Sequence, residues 1–184
     1  MTRDPMRLRT ADDLARDPAG EHCELVAGVL RVSEPPGGVH GHLAARLAYR
    51  LQAFVETHRL GVVLVEAGFI LRRRPDTVRG PDVAFVSAAR CPSDHIPEGF
   101  FDCAPDLAVE IRSPRDLPSE LAEKAADYLD AGAQLVWILD PLERRAAVYR
   151  PGGGITSLTA ADRLDGADVV PGFHCPLAEL FPNG

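Results

Sequence analysis

Three short, uninterrupted apolar runs constrain this chain more than anything else in it: VAFV at 83–86, DLAVEI at 106–111 and LVWIL at 135–139. Each is too short for a buried helix and lacks the in-out alternation of a half-solvated strand, so each reads as a strand covered on both faces. Between the second and third lies SELAEKAADYLDAG. It follows Pro118, places Leu121, Ala125, Tyr128 and Leu129 on one side of a helix, and stops at Gly132. Strand, helix and strand over 106–139 form a crossover unit, which requires a parallel pair and is expected to be right-handed. AAVY at 146–149, after Arg144 and Arg145, follows the most hydrophobic run as an antiparallel partner. The expectation is an α/β (α+β) domain with a mixed sheet flanked by helices.

The flanking segments add to this frame. Thr10 followed by Asp13 is a helix N-cap signature, giving a short helix to about Arg16. Residues 23–26 and 29–32 flank Ala27-Gly28 as a hairpin. Leu43, Leu47, Leu51, Phe54 and Val55 recur at helical spacing, so a long amphipathic helix is expected over about 40–58, closed by Gly61. Residues 61–71 read as one strand, 72–80 as a polar turn and 87–104 as a loop. The tail offers short strands, a turn at Asp165-Gly166 and a helical turn at 177–181, so antiparallel hairpins are expected at both ends. No internal repeat or low-complexity tract interrupts the chain, and residues 1–184 read as a single domain.

Composition narrows the function classes. Hydrophobic residues at 46% and charged ones at 26% suit a globular protein, and no apolar run approaches the length of a membrane span. The amino terminus lacks a secretory pattern, which points to the cytoplasm. Four scattered cysteines, Cys23, Cys91, Cys103 and Cys175, offer no close CxxC pair and read as reduced, mostly buried thiols. His40, His42, Cys91, His95 and Cys103 match no common zinc spacing, and Ser113 lacks the GxSxG context of a nucleophile. A net charge of −7 counts against a nucleic-acid partner, whereas Arg72, Arg73 and Arg74 with Arg79 form a local basic stretch just upstream of Asp82.

Asp82 opens one apolar run and Glu110 nearly closes another, so two carboxylates at neighbouring strand ends can share a hard cation, with Mg2+ or Mn2+ favoured by oxygen ligands. Lys124, on the helix that follows, can orient a metal-bound water or stabilise charge developing on phosphorus. Each residue also has a bland reading. A Pro-Asp pair commonly starts a turn, Glu110 can make an edge-strand ion pair with Arg112, and Lys124 can pair with Glu120 along its helix.

Taken in order, GPDVAFV, PDLAVEIRSPRD, EKAADYLDAGAQLVWILDP and RRAAVYR, together with the opening CELVAGVLRVSEPPGGVHGHLAARL, resemble the Uma-type restriction endonuclease family of the PD-(D/E)XK nuclease superfamily. The likeness runs from about Glu21 to Phe181. It implies a restriction-endonuclease-like fold with Asp82 and Glu110 as metal ligands and the backbone carbonyl of Ile111 as a third. Arg112 stands where the standard motif has lysine, and the resemblance implies that this role has moved to Lys124, supported by Tyr128 one turn later. It also makes Glu24 a candidate acid and His40 a neighbour of the site. The implied activity is Mg2+-dependent endodeoxyribonuclease chemistry on DNA, in a chain able to form a homodimer. The alternative is a catalytically degenerate nuclease-fold binding or assembly module.

Overall fold

The computed structural model describes residues 8–17, 23–32, 34–91 and 95–181; parts of the amino-terminal stretch and of the 87–104 loop lie outside them. The chain opens with α1 (Ala11–Ala15), a hairpin of β1 (Cys23–Val26) and β2 (Val29–Val32), and the long α2 (Gly38–His58). Then come β3 (Gly61–Val65), β4 (Phe69–Arg72), β5 (Thr77–Arg79), β6 (Val83–Ser87) and β7 (Leu107–Ile111). After α3 (Pro118–Asp130) follow β8 (Leu135–Asp140), β9 (Arg145–Tyr149), β10 (Ile155–Leu158), β11 (Arg163–Asp165), β12 (His174–Pro176) and α4 (Leu177–Leu180).

The organising element is a six-stranded mixed sheet in the order β10-β9-β8-β7-β6-β3. Its one parallel pair is β7 with β8, the pair spanned by α3, as a crossover requires. Strand alternation sorts side chains between the two faces. Leu107, Val109 and Ile111 meet Leu43, Leu47, Leu51 and Val55 of α2, together with Trp137, in one core. Ala108, Val136 and Ile138 meet Leu121, Ala125 and Tyr128 of α3 in the other. All five residues of β7 are buried, which explains its apolar character and makes Glu110 the exception on it.

A smaller sheet in the order β2-β1-β5-β4 stands beside the first. Two expectations change here. Residues 61–71 are two strands, because Glu66 takes a left-handed conformation (φ 53°) and turns the chain out of the large sheet, where β3 pairs β6, into the small one, where β4 pairs β5. Gly68 at this corner lies against the Phe100 ring, where no Cβ fits. The polar turn expected over 72–80 narrows to 73–76, and β5 follows it, with Thr77, Val78 and Arg79 all buried and Val78 facing Leu25.

The ends of the helices follow local chemistry. At α1, Thr10 Oγ1 accepts the Asp13 N–H while the Asp13 carboxylate accepts the Thr10 N–H, a reciprocal cap. At α2 the terminator is Arg59 (φ 53°), not Gly61, which instead opens β3 tight against the Val86 carbonyl. At α3, Pro118 starts the helix and Glu120 caps the Leu117 N–H at 3.2 Å. Cys91 and Cys175 are buried and Cys23 and Cys103 partly so. No described helix is long and apolar enough to cross a membrane.

Candidate active site

The site grows from the pairing of β6 with β7. Val83 faces Val109, so the next antiparallel position sets Asp82 opposite Glu110. β7 is an interior strand, which removes the edge-strand reading of Glu110. Asp82 Oδ2 accepts the Ile111 N–H at 2.6 Å and lies 3.2 Å from His40 Nε2, at the start of α2. Burial works against a charge on that imidazole, but Asp82, with Asp116 and Glu110 beyond it, outweighs burial and holds its pKa above the ordinary range.

Glu110, only 3% exposed, is gripped from α3. Lys124 Nζ lies 3.0 Å from its Oε2, and the Tyr128 hydroxyl donates to its Oε1 at 2.8 Å. Lys124 and Tyr128 sit one helical turn apart, so a single face of α3 delivers both. Lys124 ignores Glu120 and instead bridges to Glu24 Oε1 at 3.2 Å. Glu24 also accepts from Arg79 Nη1 at 2.8 Å and from the Gly80 N–H at 3.2 Å. Arg79 completes the chain of contacts through Asp127 Oδ2, reached by Nε at 3.0 Å and Nη2 at 2.6 Å.

These contacts separate the protonation states. Burial pushes the Glu110 carboxyl up to about 7, and the charges of Asp82 and Glu24 add to this against the opposing pull of Lys124. Lys124 loses some basicity to burial, but Glu110 and Glu24 more than restore it and hold the ammonium above its ordinary range. Burial raises Glu24, yet Lys124 and Arg79 bring it below the usual carboxylate range. Burial, then Glu110 and Glu24, lift the Tyr128 phenol well above its ordinary value, so it serves as a neutral donor. Glu110 is therefore the carboxylate of this network closest to gaining a proton near neutrality, and Lys124 is a fixed cation, suited to stabilising negative charge and unsuited to acting as a base.

Of the residues singled out in the sequence, Glu24, Glu110, Lys124 and Tyr128 form one hydrogen-bonded network, and Asp82 joins it through the amide next to Glu110. Arg112 does not pair with Glu110. Its Nη1 binds Asp140 Oδ2 at 2.7 Å. The basic stretch also divides: Arg73 pairs with the exposed Asp102 and reaches the buried Asp76, whereas Arg79, 5% exposed, points inward and leaves the patch. The sequence reading missed the ion-pairing of Arg79 and Asp127. The signal available for Asp127 was its position three residues after Lys124, on the same helical face. A second signal lay in the composition, since Lys124 is the only lysine in a chain with 19 arginines.

The mixed sheet with helices on both faces is a restriction-endonuclease-like fold, and here it carries acids at the ends of two adjacent strands and a lysine on the crossover helix. The chain belongs to the Uma2 family, described as "Putative restriction endonuclease", whose profile matches residues 8–178. Its fold is shared with a crystal structure of a "putative nuclease belonging to DUF820" from Anabaena variabilis: TM-score 0.83 at 22% identity, over 94% of this chain and 97% of that one. No curated protein matches the chain.

Proposed function

We propose that this protein is a divalent-metal-dependent endonuclease that hydrolyses phosphodiester bonds in DNA, with Asp82, Glu110 and the Ile111 carbonyl holding Mg2+ or Mn2+. The supporting observation is an imbalance of charge. With Glu110 ionised, Glu24, Asp82, Glu110 and Asp127 face Lys124 and Arg79, leaving two negative charges uncompensated with His40 neutral, and one with it protonated. A carboxyl pushed up to about 7 beside other carboxylates marks where that excess is felt. Among the described residues no three carboxylate, imidazole or thiolate side chains converge as a ready-made metal cage. Two carboxylates, a carbonyl and water suit Mg2+, which keeps much of its hydration, better than a closed zinc site.

A bound ion would supply Lewis acidity and a water acidic enough to attack phosphorus. The protein's own groups do the rest. The Ile111 amide and His40 fix Asp82, Tyr128 and Lys124 fix Glu110, and Glu24 keeps Lys124 charged and in place. The Lys124 ammonium then stabilises the negative charge that grows on the phosphoryl oxygens.

Calorimetric titration of Mg2+ and Mn2+ into metal-free protein tests this reading, with Asp82→Ala and Glu110→Ala as references. Binding to the wild type that is lost in both variants is the expected result, followed by cleavage of plasmid DNA in the same buffers. A second reading, a nuclease fold kept as a binding or assembly module, draws on the net charge of −7 and on Arg112 in place of the standard lysine. A wild type that binds neither ion, with or without DNA, favours that module.

A further inference from the structure

One row of side chains crosses the small sheet and emerges from under α3 into solvent. Leu25 faces Val78, so the next antiparallel position sets Glu24 opposite Arg79, and on its other side Glu24 faces Arg31. Residues directly opposite share a face, so Arg31, Glu24 and Arg79 stand in line on β2, β1 and β5, away from the Leu25, Leu30 and Val78 face that packs on α1. Exposure rises along the line. The Arg79 and Glu24 side chains keep 6% and 15% of their surface, whereas Arg31 is exposed, on the edge strand of the sheet. Cβ atoms of such facing pairs lie about 4.5 to 5.5 Å apart, which makes Glu24 the natural partner of Arg31. That carboxylate is already taken, by Lys124 and the Gly80 N–H at Oε1 and by Arg79 at Oε2. Other arginines around the centre are held by acids as well: Arg79 by Asp127, Arg112 by Asp140 and Arg115 by Glu34. Arg31 makes no hydrogen bond or ion pair among the described residues.

We propose that Arg31 binds a backbone phosphate of the DNA next to the one undergoing hydrolysis, holding the strand across the mouth of the acidic site. This rests on the nuclease reading above. Glu24 separates Arg31 from Lys124, whose Nζ lies 3.2 Å from Glu24 Oε1, so a strand whose reacting phosphate meets Lys124 runs out of the site past Arg31. An exposed, unpaired guanidinium keeps its donors for the oxygens of a phosphate. The excess of carboxylates at the centre repels an incoming polyanion, and a cation at the outer end of the row offsets that repulsion. A charge on an edge strand also discourages pairing with another chain; either sign fills that role, whereas a phosphate is held only by a cation.

The test is fluorescence-anisotropy binding of a short DNA duplex in Ca2+, a larger oxygen-seeking ion, over a series of salt concentrations, for wild type, Arg31→Met, Arg31→Lys and Arg31→Glu. Calorimetry of Ca2+ alone runs beside it. In Arg31→Met the slope of log K against log salt should shrink by about 0.9 and affinity should fall roughly tenfold, with Ca2+ binding unchanged. Arg31→Lys should restore the slope. An unchanged slope and affinity in Arg31→Met overturns the proposal and leaves the metal site standing. Should Arg31→Met not fold, Arg31→Glu decides, because it keeps a charge on the edge strand: DNA binding weakened beyond tenfold supports the phosphate contact, and wild-type affinity overturns it. A wild type that binds Ca2+ but no DNA removes the substrate reading and the proposal together.

Discussion

Lys124 shows how much the shape of a single cation decides. Arginine fills every other basic position in the chain, and all 19 tolerate a guanidinium. Lys124 Nζ fits as a compact charge between Glu110 and Glu24, where a planar fork would have to displace one of them. Lys124→Arg should therefore cut DNA cleavage by about a hundredfold or more while shifting the melting temperature by only a few degrees, as plasmid nicking and differential scanning fluorimetry would show. Glu110 gives a second prediction. Its pKa, pushed up to about 7, lies above the ordinary glutamate value of 4.5, so the stability it contributes is fully present below about pH 4.5 and is lost as pH rises through about 7. The melting temperature of the metal-free wild type should fall relative to Glu110→Gln between about pH 5 and about pH 8, and a constant difference would contradict the shift. The placement of Asp82 and Glu110 at strand ends and of Lys124 on the following helix was legible in the sequence, because strand ends and a helix face can be read from spacing. The partners of Arg79 were not, since they come from β1 and α3 and meet only after folding.

At the scale of elements, Arg79 ties three together: β5 carries it, β1 supplies Glu24 and α3 supplies Asp127. Arg79→Met would leave Asp127 without its ion pair and Glu24 with only Lys124 and the Gly80 N–H, at a cost of about 3 kcal/mol measured by urea unfolding; Asp127→Asn, which keeps a hydrogen-bonding group, should cost less. Gly61→Ala should also destabilise, by about 2 kcal/mol or more, because its Cβ meets the Val86 carbonyl where β3 pairs β6. The elements with strong periodicity, α2 and α3, and the unbroken apolar strands β6, β7 and β8 were read correctly from sequence. The break at Glu66 was not, because glutamate carries no turn preference and only the switch between two sheets calls for its left-handed backbone. β5 was hidden for the reverse reason. It is three residues long, and its arginine is buried by ion pairs that local sequence cannot announce.

Across the whole molecule, the net charge of −7 and the acidic cluster pull in the same direction, so a metal ion should change both stability and partner choice. Mg2+ at about one hundred times its dissociation constant should stabilise the fold by about 2.7 kcal/mol, and Asp82→Ala should abolish this shift without losing the fold. DNA affinity should rise with Mg2+ in the wild type and stay flat in the variant. The fold class was legible because crossover rules leave few arrangements for a strand, helix and strand in this order. The pairing of β6 with β7 also bears on folding. A slip of a single residue between these strands would carry Asp82 away from Glu110 and trade the Ile111 amide for another. Under the proposed metal-site reading, the paired acids act as a checksum on strand alignment: a molecule that has zipped up one notch out of step keeps its strands and helices but would be silent in a metal-binding assay.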